Sequence, residues 1–209
     1  MVAIDPREAA LIVVDPQNAF CHPDGTLGQS GVDVSGLVAT LPHIEALIRT
    51  CRAAGIRDIW TRHYNMVEDR GRDAHKIKPH TLKRKTIACQ PGTWDSEIVD
   101  ALKPLITADT RIIEKYKWSA FYGTGLEPLL RILGTRLVIV CGTTSNACIE
   151  TTIRDAYMRD YDVVIVKECV AAVRPDWHEA ALEVWAHYIG EVVSLAQFQG
   201  MLPDQTGAP

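Results

Sequence analysis

Short apolar runs rich in β-branched residues alternate along this chain with segments whose apolar positions recur at helical spacing. Residues 10–14, 56–61, 111–114, 137–140, 163–166 and 191–195 read as strands. Residues 37–54 carry Leu37, Leu41, Ile44, Leu47 and Ile48 on one helical face, with Gly55 as the stop. Further helices are predicted over 96–102, 126–133 (with Gly134 as C-cap), 150–159 and 177–187. Strand–helix alternation of this kind predicts one α/β domain over residues 1–209: a three-layer α/β/α arrangement around a mainly parallel, Rossmann-like six-stranded sheet. Residues 64–95 break the pattern with charge, His, Gly and Pro, and are expected to form an irregular lid or an oligomer contact. Residues 202–209 read as a frayed tail.

Open parallel sheets bind ligands at the carboxyl ends of their strands. Asp15, residues 61–63, Lys115 and Cys148 all fall there. Cys148 lies in a Gly/Thr/Ser-rich turn between a strand and a helix, and a helix N-terminus favours the thiolate, the nucleophilic form. Taken singly, each residue also has a plain reading: a buried structural thiol, and a turn aspartate before Pro16. Lys115 and Lys117 would share one side of a continuing strand.

Three motifs, in order and with matching spacing, resemble the isochorismatase-like cysteine hydrolases, on the branch that holds N-carbamoylsarcosine and ureidoacrylate amidohydrolases. They are the apolar strand ending in Asp15-Pro16-Gln17-Asn18-Ala19-Phe20, the stretch Lys115-Tyr116-Lys117-Trp118-Ser119-Ala120-Phe121, and Gly142-Thr143-Thr144-Ser145-Asn146-Ala147-Cys148. The resemblance implies a triad of Asp15 as general base, Lys115 as cationic partner and Cys148 as nucleophile; the family spacing selects Lys115 over Lys117. It also implies a cis peptide between Thr143 and Thr144 that directs the Thr144 and Cys148 N–H groups together as an oxyanion hole. No cofactor is implied, and the expected assembly is a homodimer or homotetramer.

The expected activity is hydrolysis of a C–N bond in a small amide or ureido (carbamoyl) substrate through a thioester. One alternative is a vinyl-ether hydrolase working without covalent catalysis; members of that kind usually lack the cysteine, which this chain keeps. A non-catalytic binding member of the fold is the other. Nicotinamidases of the family carry D-x-H after the second strand as metal ligands. Here the stretch is Thr61-Arg62-His63, without the aspartate, and His75 and His80 have no companion carboxylate, so no metal is expected. Asn18, Phe20, Arg62, His63, Trp94 and Trp118 are the candidate pocket residues. Arg62 and Arg174 are the candidates for gripping a substrate carboxylate, and His178 reads as structural.

Composition narrows the partners. A net charge of −4, with the densest basic stretch confined to residues 76–85, excludes an extended phosphate-binding stripe. No apolar run reaches transmembrane length, and residues 1–10 lack the basic-then-apolar pattern of a signal peptide. The six cysteines show neither paired nor zinc-type spacing, which predicts a reducing, cytoplasmic setting without disulfides.

Overall fold

The chain builds a six-stranded sheet in the order β3-β2-β1-β4-β5-β6, with every pairing parallel. The computed structural model describes residues 3–66 and 86–203, so His75, His80 and the basic stretch 76–85 lie outside the described residues, as does most of the tail. The strands are β1 (Ala9–Val14), β2 (Arg57–His63), β3 (Arg111–Lys115), β4 (Leu137–Thr143), β5 (Asp162–Ala171) and β6 (Glu191–Val193). The helices are α1 (Asn18–Cys21), α2 (Thr26–Gln29), α3 (Ser35–Ala39), α4 (Leu41–Ala53), α5 (Leu126–Ile132), α6 (Glu150–Tyr157), α7 (Pro175–Tyr188) and α8 (Leu195–Met201).

Central strands buried on both faces read as continuous apolar runs, and every residue of β1 is buried. Strand alternation then divides the core in two. Leu11, Val13, Ile139, Cys141, Val164 and Val166 face α4 and α8, packing on Ile44, Leu47, Ile48, Phe198 and Met201. Their neighbours Ala10, Ile12, Val14, Val138, Val140 and Ile165 face α5, α6 and α7, packing on Leu130, Ile153 and Trp185.

Several predicted elements are corrected. The helix expected over 37–54 is two, α3 and α4, broken at Thr40, whose hydroxyl caps Leu37 O at 2.7 Å just ahead of Pro42. Residues 96–102 form no helix. They are bracketed by single 3₁₀ turns at Trp94–Ser96 and Lys103–Leu105 and bond back to the start of the chain: Asn18 N donates to Glu97 O (2.9 Å), Val99 N donates to Pro16 O (2.9 Å), and Ile98 bridges Gln17. The strand expected over 191–195 ends at Val193, and Ser194 opens α8 with a reciprocal capping box to Gln197.

Chain order reverses between β1 and β4, which places the switch point of the sheet there. β4 stays in register with β1 along that seam but slips against β5 between Val140 and Gly142, and Gly142 takes φ 118°. A Cβ on Gly142 would lie 2.1 Å from Val14 O, so any side chain forces the two central strands apart. Gly142→Ala is therefore expected to cost roughly 2 kcal/mol or more, from the strained φ and the backbone clash together. Urea denaturation checks this, as a lower midpoint with an unchanged slope.

Candidate active site

Three strand ends converge at the switch point. β1 ends in Asp15, β3 in Lys115, and β4 runs into the turn that carries Cys148; all three residues are buried. Asp15 sits at φ 49°, a left-handed conformation that aspartate tolerates better than most residues. This turns its carboxylate under the sheet end. Thr61 of β2 donates to Asp15 Oδ1 at 2.6 Å, Thr143 donates to Asp15 O at 2.8 Å, and Lys115 Nζ lies 2.6 Å from Asp15 Oδ2. Neither side chain of this ion pair is exposed at all. The Lys115 ammonium also donates to the carbonyls of Lys117 (3.1 Å) and Trp118 (3.0 Å). The side chain of Lys117 itself is exposed.

The Thr143–Thr144 peptide is cis. The turn beyond it, Ser145–Ile149, is wound wider than an α-helix, with Ile149 N donating to Thr144 O at 3.2 Å, and it leads into α6. The Cys148 thiol interacts with both Asp15 and Lys115. Burial is the largest influence on it and pushes its pKa up to about 12; Lys115 pulls it down and Asp15 pushes it further up. Desolvation of the thiol thus works against the helix-start preference for a thiolate. Burial also works against the Lys115 ammonium, but Asp15 and Cys148 together prevail and hold its pKa above the ordinary lysine value.

The other candidates separate. His63 is buried on β2 in register with Lys115, and its Nε2 lies 3.3 Å from Asn65 Oδ1. Burial first, then the Lys115 charge, lowers its pKa, so it is neutral. Asn18 is buried and donates to Trp94 O at 2.9 Å, while the Trp94 ring meets His22 edge-on and is partly exposed. Phe20 packs against core clusters. Trp118 is half-exposed, and its carbonyl is what meets Lys115. Arg62 is drawn to Glu114 at 3.4 Å and lies over Tyr64; on the strand it alternates with Thr61 and His63, away from Lys115. Arg174 is held in an exposed pair with Asp176. Among the described residues, no group of three or more His, Cys, Asp or Glu is placed to hold a metal.

Two supporting residues carried no sequence signal strong enough to single them out as such. Thr61 orients Asp15, and Gln17 pins the end of β2 by accepting from His63 N (2.7 Å) and donating to His63 O (3.0 Å) and Ser96 O (2.8 Å). His178, read as structural, reaches the nucleophile turn, with Nδ1 3.2 Å from Ser145 Oγ.

A parallel sheet that gathers a carboxylate, an ammonium and a thiol at its switch point defines a cysteine hydrolase of the α/β class. The chain belongs to the isochorismatase family, whose Isochorismatase domain matches residues 9–197. It is 33% identical over 220 residues to the ureidoacrylate amidohydrolase RutB of Methylobacterium radiotolerans, across 100% of this chain and 84% of that protein. The crystal structure of a cysteine hydrolase from Pseudomonas syringae pv. phaseolicola 1448A superposes with TM-score 0.80 at 30% identity, covering 96% of this chain and 95% of that one. N-carbamoylsarcosine amidase from Thermoplasma acidophilum superposes with TM-score 0.71 at 26% identity, covering 90% and 95%.

Removing one partner of the buried pair strands the other. Lys115→Met is expected to cost about 3–5 kcal/mol in chemical denaturation, and adding Asp15→Asn should recover much of it. The raised thiol pKa sets a second expectation. Alkylation of Cys148 by iodoacetamide, followed by peptide mass spectrometry, should still be accelerating above pH 9.0, the ordinary thiol value, toward about 12.

Proposed function

We propose that the protein is a cysteine-dependent amidohydrolase that cleaves the C–N bond of a small amide or ureido (carbamoyl) substrate through a thioester. The observation that carries this reading is the solvent-free Lys115–Asp15 pair in contact with the Cys148 thiol. The names of the relatives support the same bond type.

In this mechanism the thiol stays protonated until substrate arrives. Asp15 takes its proton as the sulfur attacks the carbonyl carbon, and Lys115 offsets the negative charge that develops. The Thr144 and Cys148 N–H groups receive the oxyanion across the cis peptide. Asp15 then protonates the leaving nitrogen, the C–N bond breaks, and ammonia or an amine departs. Water, deprotonated by Asp15, attacks the thioester and frees the acid and the thiol. The proton held by Asp15 passes to the sulfur, so each turnover consumes one amide and one water.

His63 and Asn18, both buried, are the pocket residues this reading retains; Arg174 is paired with Asp176, while Arg62 approaches Glu114 at 3.4 Å and its buried Nε has no hydrogen-bond partner among the described residues. The reading extends to an assembly of two or four copies, which light scattering tests. It also extends to a cytoplasmic setting, in keeping with six free cysteines.

Ammonia release from a panel of small amides and ureides is the direct test. Cys148→Ala should lower turnover at least about a thousandfold with the fold retained. Brief substrate exposure should leave an acyl adduct on Cys148 and on no other cysteine. Full turnover by Cys148→Ala, or by enzyme alkylated at Cys148, would turn the assignment toward ether hydrolysis without covalent catalysis.

A further inference from the structure

The Lys115 ammonium is held by two carbonyls outside any strand or helix, of which that of Lys117 also meets the His63 ring of β2. Lys117 and Trp118 lie in the irregular stretch after β3, and both side chains point outward. The next pair of residues ties their backbone to a helix. The Ser119 hydroxyl donates to Asp155 Oδ2 and accepts from Phe121 N at 3.1 Å. Ala120 N donates to Thr152 Oγ1 at 3.0 Å. Thr152 and Asp155 stand three residues apart on one face of α6, the helix that follows directly from the Cys148 turn. Asp155 is braced in turn by Arg159 at 3.1 Å, which also pairs with Glu127 of α5 at 2.9 Å and covers the Phe121 ring. The position of the ammonium is therefore referenced to the helix that carries the thiol, and not only to its own strand.

We propose that Asp155 and Thr152 are positioning residues: through Ser119 and Ala120 they hold the Lys117 and Trp118 carbonyls where these fix the Lys115 ammonium between Asp15 and Cys148. This rests on the triad reading above and goes beyond it. The charged or titratable groups around the ammonium are Asp15 from β1, His63 from β2 and Cys148 from the turn before α6. If the carbonyls swing away, the ammonium loses both of its backbone acceptors and no longer stays beside the sulfur. The thiolate then loses its counter-charge.

The probe is iodoacetamide, which reads the thiolate population of Cys148 without any substrate. At pH 9, Asp155→Ala should alkylate about tenfold more slowly than wild type, the effect of one pH unit on thiolate fraction. Asp155→Asn keeps an acceptor for the Ser119 hydroxyl and should restore most of the rate. Arg159→Gln breaks only the outer brace and should stay near wild type. Ser119→Ala removes the clamp while leaving Asp155 with Arg159, and should match Asp155→Ala even if that variant folds poorly. Thr152→Val should fall between them. Wild-type alkylation in folded Ser119→Ala would overturn the proposal, as would equal slowing in Asp155→Asn and Arg159→Gln. Lys115→Met separates the two levels. If it leaves the rate unchanged, the triad reading itself fails; if it slows the rate while Ser119→Ala does not, only the clamp fails.

Discussion

A salt bridge with no solvent contact on either side dominates this molecule. Lys115 and Asp15 meet at 2.6 Å, and neither side chain is exposed. Charges taken out of water cost several kcal/mol each unless every hydrogen-bonding position is filled. Much of the surrounding architecture answers that demand: Thr61 on one carboxylate oxygen, Lys115 beside the other, and two carbonyls on the ammonium. The pair contributes little net stability under this accounting. What it provides is a fixed charge arrangement against which a neutral thiol sits.

Under the proposed mechanism, electrostatics would let the nucleophile be both buried and reactive. The thiol is shielded from water, which keeps it protonated and inert at rest. A proton acceptor and a cation already in contact remove the need for reorganisation when a substrate carbonyl takes the place of solvent. In the proposed cycle, burial and activation, opposed in most cysteines, act at different moments.

Much of this was legible in the residues, and the exceptions have identifiable causes. The six strands were visible because buried parallel strands are near-continuous apolar runs, and Asp15, Lys115 and Cys148 lay at their ends. Pro42 inside the long helical pattern marked the break at Thr40, and Ser194 with Gln197 marked the start of α8, but the apolar periodicity masked both signals. Residues 96–102 have helical spacing yet are drawn into bonds with residues 16–18, a tertiary override that no local pattern contains. Thr61 and Gln17 act only through partners far away in sequence. Arg62 looked like a pocket residue by its position after a strand, and only strand alternation against Glu114 shows it turned aside. Burial depth, which pushes the thiol pKa up, is a property of the assembled core and not of the local turn.

The contact between Gly142 and Val14 O bears on how the protein moves. Two backbones that approach with no side chain between them behave as one plate, and that plate carries Asp15 on one margin and the Cys148 turn on the other. Domain-like opening across this seam is mechanically closed. Any motion that admits a ligand must therefore leave this seam, and the spacing it sets between carboxylate and thiol turn, unchanged.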